Sequence, residues 1–182
     1  MYTSQDNQKE ILSRIKSTFP QSNLIPNYVD YPGQLRELWV RGPKDELFRS
    51  VLSEIETISE IAQVVLLLPD RPNIDSEEYF SFMSARIMSK TNRTYVANLQ
   101  LSYVGICATL AWSSEKQERL IEPPTKHWEK IMRQIAEICE KRKVFFVPAN
   151  DPFFEQDLPG FHVGIQDKQM TIYDALFFFE YC

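Results

Sequence analysis

Residues 94–112 read TYVANLQLSYVGICATLAW. Before Gly105 the apolar side chains fall on odd positions (Tyr95, Ala97, Leu99, Leu101, Tyr103), with Asn98, Gln100 and Ser102 between them; after it they fall on even positions (Ile106, Ala108, Leu110, Trp112). Alternation of this kind places successive side chains on opposite faces of an extended chain, so the stretch is β structure. A change of phase at a glycine calls for a bulge or a sharp bend there. Removing or adding one residue at that point would exchange the two faces and wreck the fold.

Outward from this segment, helical and extended patterns take turns. The clearest helix is predicted at 125–142, where Trp128, Ile131, Met132, Ile135, Ile138 and Cys139 recur at intervals of three and four, and where Glu129/Arg133 and Glu137/Lys141 are spaced for surface ion pairs. The stretch 43–60 repeats the pattern through Leu47, Phe48, Val51, Ile55 and Ile58, with Pro43 suited to a first helical turn. Two more helices are predicted at 7–19 (Ile11, Leu12, Ile15, Phe19) and at 75–90 (Phe80, Met83, Ile87), the latter opened by Asp75 and Glu78 in the manner of a capping box. Strands are expected at 38–41, 62–68, 144–147 and 161–166. The unbroken apolar run Val64-Val65-Leu66-Leu67-Leu68 predicts a central strand covered on both faces. Near the C-terminus a returning strand from Met170 competes with a helix start at Thr171 and Asp174, and a short strand or turn running into a final helical turn is expected. The fold class is therefore α+β: one domain over residues 1–182, a mixed β-sheet with about four helices packed on it.

Composition fits that picture. A chain of 182 residues buries roughly 70% of the surface its unfolded form exposes. With 43% apolar and 25% charged residues the chain is an ordinary globular sequence, ordered nearly throughout. The pieces at 20–33, 69–73, 113–124 and 148–160 look like linkers, and none is long enough to demand a domain boundary. Cys107, Cys139 and Cys182 are too widely and irregularly spaced for a disulfide framework, which points to reduced thiols and a cytoplasmic setting. No apolar run is long enough to cross a bilayer, and Asp6 and Glu10 lie where a signal sequence would be apolar.

Several chemistries are excluded by spacing. The five glycines (33, 42, 105, 160, 164) permit no GxGxxG, no GxxxxGK[ST] and no GxSxG motif, so the usual phosphate cradles and the serine elbow are missing. His127 and His162 with three scattered cysteines supply no common zinc spacing, and no metal or other cofactor is expected. Pro69-Asp70 after an apolar strand resembles the opening of a nuclease-type metal site, but no downstream lysine has an acid two positions before it; a turn is the better reading, and Asp75, Glu77 and Glu78 suit the first turn of a helix. Cys107 and His162 could form a thiol–base pair only if their strands were neighbours; buried strand cysteines are usually core residues, as is Cys139 on its helix. His127 is most simply solvated. Lys141-Arg142-Lys143 is read as a cationic helix end rather than a phosphate site, because the sequence pI is near 5.2 and no nucleic-acid partner is expected.

What remains is charge and aromatic content near the C-terminus. The last 39 residues hold six acids against one base, Lys168, and 10 of the 23 aromatics. Within them Asn150-Asp151-Pro152-Phe153-Phe154-Glu155-Gln156-Asp157-Leu158-Pro159-Gly160 joins two strand candidates and sets two rings among three acids. Such a loop runs over the surface, so a ring either folds back into the core, the commoner outcome, or is offered to a partner. The run Phe177-Phe178-Phe179 has core as its favoured reading over interface. The function expected by elimination is a non-enzymatic acidic binding protein, such as a cytoplasmic immunity-type inhibitor that occludes a basic protein like a bacterial toxin. Asp151, Glu155 and Asp157 would steer that partner and Phe153 or Phe154 anchor it. An enzyme or small-ligand site involving Tyr95, Tyr103, Gln100 and His162 is the alternative, and a homo-oligomeric scaffold burying the C-terminal rings is a third; the chain itself would be a monomer or homodimer.

Overall fold

A computed structural model describes residues 3–18, 46–67, 78–80, 82–114, 118–163, 168–177 and 179–181. In chain order its elements are α1 (Gln5–Thr18), α2 (Glu46–Glu56), β1 (Ile61–Leu67), β2 (Glu78–Phe80), β3 (Phe82–Ser89), β4 (Tyr95–Ser102), β5 (Cys107–Ser114) and β6 (Arg119–Leu120). These are followed by α3 (Lys126–Lys141), β7 (Phe145–Phe146), a 3-10 turn (Pro152–Glu155), β8 (Asp157–Val163), β9 (Lys168–Thr171), α4 (Ile172–Leu176) and β10 (Phe179–Tyr181). The class is α+β, with a mixed sheet and helices packed on it. The predicted strand at 38–41 and the acids Asp70, Asp75 and Glu77 lie outside the described residues.

The phase change at Gly105 is a hairpin. β4 and β5 pair antiparallel with Ala97 opposite Trp112, Leu99 opposite Leu110 and Leu101 opposite Ala108, so the odd apolar side chains of one strand and the even ones of the other share a single face. β3 adds Met83, Ala85 and Ile87 to that face through its pairing with β4. The cover is α2, through Phe48, Val51 and Ile55, together with α3, through Trp128, Ile131, Ile135 and Cys139. Sheet order is β1-β3-β4-β5-β6, with the short β7 parallel to β5 making the sheet mixed. α3 starts where expected: Thr125 accepts a hydrogen bond from Trp128 N–H through its side chain.

Its end is a Schellman turn without glycine. Lys143, at φ 59°, takes the left-handed position, while Val144 N–H reaches Cys139 O at 2.8 Å and Lys143 N–H reaches Glu140 O at 2.9 Å. Lys141 and Arg142 of the basic run bind Glu54 of α2, at 2.6 and 2.8 Å, and their cations hold its carboxyl below the usual range. The second inter-helix tie joins Lys130 to Glu60 just beyond α2.

A second cluster lies on the other face of the sheet, at the turn end of the hairpin. Ile11 and Ile15 of α1 meet Val104 and Cys107 of the hairpin, Phe153 and Phe154, and Ile172 and Leu176 of α4. Gly105 is required here by proximity, since a Cβ at this position would stand 2.5 Å from Leu176 Cδ2 and 3.4 Å from Ile11 Cγ2. The C-terminal region combines both expected patterns: β9 pairs with β8, then Thr171 and Asp174 form a reciprocal capping box that starts α4.

Two expectations are corrected. The predicted helix at 75–90 is instead β2 and β3, because Met83, Ala85 and Ile87 alternate as well as Phe80, Met83 and Ile87 follow a helical interval, and ladders to β1 and β4 on both sides decide between them. The apolar run, over its described residues 64–67, is not fully covered on both faces, with Val64, Val65 and Leu67 half-buried. Among the described residues β1 pairs with β3 alone and ends the sheet's path, with Leu66 38% exposed.

Candidate functional site

The loop expected to meet a partner keeps most of itself inside. Asp151 caps the 3-10 turn, its Oδ1 accepting from Phe153 N–H at 3.0 Å, while Oδ2 accepts from Thr3 N–H and Thr3 Oγ1–H, both at 2.7 Å. With only 3% of its surface exposed, this carboxylate is a structural acceptor rather than a steering charge. Phe153 and Phe154 are buried as well, and Phe154 meets Tyr173 and Phe177 edge-on, with ring centroids 5.5 and 5.9 Å apart. Of the five residues assigned to partner binding, Asp151, Phe153 and Phe154 are therefore interior, for the ordinary reason that two rings and a thrice-bonded carboxylate are best satisfied there. Glu155 and Asp157 remain exposed. Phe177 is core too.

The exposed surface beside this loop comes from a different segment. Asn150 Nδ2–H donates to Glu122 Oε1 at 3.4 Å, and Arg119 donates to Tyr173 Oη at 2.9 Å with its guanidinium 5.4 Å above the same ring. Tyr173 in turn donates to Gln100 Oε1 at 3.0 Å. Residues 118–122 are thus joined to the 150–157 loop through Asn150 and to α4 through Tyr173, and Glu118, Glu122, Glu155 and Asp157 are exposed. Ile121, next to Glu122 in the chain, is 48% exposed, the most exposed large apolar side chain of the described residues. Sequence reasoning passed over Ile121 because a single isoleucine in a polar connection carries no periodic signal.

The described members of the catalytic alternatives do not come together as reactive groups. Cys107 is fully buried, and desolvation pushes its thiol far above the ordinary value; Cys139 is pushed up to about 12 by the same cause. Neither forms a thiolate at neutral pH. Gln100 lies on the face of β4 opposite to Tyr95 and Tyr103, both of which pack with the first core cluster, so these three do not converge. His162 is on β8, and its side chain lies outside the described part. His127, expected to be solvated, is half-exposed and also hydrogen-bonded: its Nε2 is 2.7 Å from Ser89 Oγ and 3.2 Å from Thr91 Oγ1. Ser89 Oγ also accepts the backbone N–H groups of Thr91 and Asn92, and it is buried, so the pair fixes the turn after β3 rather than presenting a nucleophile. Among the described residues no three His, Cys, Asp or Glu side chains gather as metal ligands, and no helix is long and apolar enough to cross a membrane.

An open cleft of about 920 Å³ separates α1 from α3. One wall is the stripe Asn7, Glu10, Arg14 of α1; the other is Arg133, Glu137, Glu140 of α3, with Ala136 between. The floor is the extended stretch from Val144 to Pro148 that contains β7, where Arg14 lies 5.6 Å above the ring of Phe145. Arg14 pairs with Glu10 at 3.0 Å and Arg133 pairs with Glu129, which leaves Glu137, Glu140 and Lys143 without an ion-pair partner among the described residues. No family model, no curated protein and no solved structure matches the chain.

Proposed function

We propose that the protein is a non-enzymatic binding module for a basic protein, of the kind that inhibits its target by occlusion, as an immunity protein does a toxin. The observation that carries this is Ile121, held 48% exposed beside Glu122 in a segment that Asn150–Glu122 ties to the loop bearing Glu155 and Asp157 and that Arg119–Tyr173 ties to α4. An exposed apolar anchor on an acidic surface suits a basic partner, the acids hastening encounter and the anchor resisting separation. The formal charge of -5 favours the same class of partner. The steering acids in this reading are Glu122, Glu155 and Asp157, and the anchor passes from the loop rings to Ile121.

The test is capture from an extract of the native host at low salt, followed by kinetics on the basic protein retained. The triple variant Glu122→Lys/Glu155→Lys/Asp157→Lys should slow association and reduce its salt dependence, and Ile121→Ala should speed dissociation about tenfold or more. Capture of the same proteins by wild type and the triple variant would defeat the proposal.

A further inference from the structure

We propose that Ser89, His127 and Thr91 form an acid-sensitive latch, which ties the turn between β3 and β4 to the first turn of α3 while the imidazole is neutral and lets that turn go when the ring takes a proton. The latch is independent of what the protein binds.

Hydrogen-bond stoichiometry sets its direction. A hydroxyl has one proton to donate and two lone pairs with which to accept. Both lone pairs of Ser89 Oγ are in use, since Thr91 N–H and Asn92 N–H each donate to it at 3.2 Å. Its proton therefore goes to the remaining neighbour, His127 Nε2, at 2.7 Å. Nε2 is then an acceptor, which requires the neutral ring with its own proton on Nδ1. An imidazolium carries N–H on both nitrogens and cannot keep this arrangement, because its Nε2–H would meet an oxygen with no free lone pair. Either the ring turns to Thr91 Oγ1, 3.2 Å from Nε2, or Ser89 gives up the turn amides. In both cases the Ser89 hydroxyl, only 3% exposed, loses the acceptor of its proton where water cannot replace it.

Charge around the ring is consistent with this. Glu60 and Glu129 are engaged by Lys130 and Arg133, Tyr95 packs with the first core cluster, and Glu118 sits beyond the end of β5, where its carbonyl accepts from Ser114 N–H. Lys90 and Arg93 on the turn and Lys126 beside His127 have no ion-pair partner among the described residues. A proton on His127 adds a further positive charge next to theirs, at the positive pole of α3.

The part released is the turn. α3 is held by its buried stripe from Trp128 to Cys139 and by its ties to Glu60 and Glu54. Lys130 and the Ser59 hydroxyl keep the Glu60 carboxyl at about 2, so that tie persists through the mildly acidic range in which histidines charge. Lys90 N–H is fixed on Glu60 O at 2.9 Å, so release begins at Thr91, whose amide depends on Ser89 Oγ as does that of Asn92. The sheet thus has, at the end remote from the second core, a connection whose anchoring follows pH.

The test is NMR on the folded chain at pH 8 and pH 5. At pH 8 the His127 ring, assigned by comparison with His127→Gln, should carry its proton on Nδ1. Between pH 8 and pH 5 the exchange protection factors of the Thr91 and Asn92 amides, which already discount the intrinsic effect of pH, should fall about tenfold, while those of Ile131 and Ile135 hold. His127 is half-exposed on a helix that glutamine suits, so His127→Gln should keep the fold. Its side chain takes up no proton, and its Thr91 and Asn92 protection should be the same at both pH values. A ring protonated on Nε2 at pH 8, unchanged protection at pH 5, or a fall that persists in His127→Gln would overturn the proposal. A fall shared by Ile131 and Ile135 would overturn it too, since α3 as a whole would then be giving way.

Discussion

The two faces of the central sheet are covered in different ways. One is roofed by α2 and α3, whose apolar stripes lie along the aliphatic rows of β3, β4 and β5. The other, at the turn end, is closed by pieces drawn from α1, the hairpin turn, the 150–157 loop and α4, and its largest contributions are rings packed edge to face. In the first, each segment carries its own periodic signature. In the second, no segment makes sense until the others are present. The aromatic richness of the last 39 residues, which reads as a surface device, is in large part the material of this second core.

The comparison breaks most sharply if one large side chain is removed from each side. Phe153→Ala should cost about 3–5 kcal/mol and Ile135→Ala about 2–5 kcal/mol, measured by urea denaturation. If both variants unfold in one transition seen by near-UV dichroism and fluorescence alike, the two cores form one cooperative body. A separate early transition for Phe153→Ala would show that the assembled side opens by itself.

A smaller effect is expected from Asp151→Ala, which removes the cap of the 3-10 turn and leaves the Thr3 donors unmatched. About 1–3 kcal/mol should be lost, and amide exchange should accelerate at the start of α1 as well as in the loop. Acceleration confined to the loop would mean that the Thr3 contact contributes nothing to seating α1.

The smallest effect concerns the roofed side. Lys130 and the Ser59 hydroxyl hold the Glu60 carboxyl at about 2, below its ordinary 4.5. A lowered carboxyl stabilises the fold above its unfolded value and loses that contribution as pH falls through the folded one, so the window runs from about pH 4.5 down to about pH 2. Glu60→Gln should therefore narrow the gap in melting temperature between pH 5 and pH 2 by a small amount, as suits an exposed pair. An unchanged gap would show the pair to be inert.

What could be seen in the sequence follows the same division. The hairpin was legible in residues 94–112 because its alternation is strict, and α3 in 125–142 because its stripe, its Thr125 cap and its ion-pair spacing agree. Residues 82–89 were not legible, since Met83 and Ile87 fit both periods and the choice is made by strands that lie elsewhere in the chain. The partial exposure of β1 was hidden by its composition, as an apolar run records hydrophobicity and not how well its faces are covered. In the loop, Asp151 followed by Pro152 is a cap-and-first-turn signature that could have turned Phe153 and Phe154 inward. The His127–Ser89 contact and the pairing of Thr3 with Asp151 had no local signal at all.

That last contact has a consequence for how the molecule is made. Thr3 and Asp151 are separated by 148 positions; Val104 and Cys107 of the nest for Ile11 and Ile15 are made earlier, but Phe153, Phe154 and α4 are later still. At ribosomal elongation rates, α1 waits on the order of ten seconds after its synthesis before the last of the groups that bury it exist. During that interval two isoleucines on an amphipathic helix are exposed to whatever chaperone or neighbouring chain is near. The roofed face can meanwhile assemble in order of emergence, so α1 is a candidate for the segment most dependent on protection during biosynthesis.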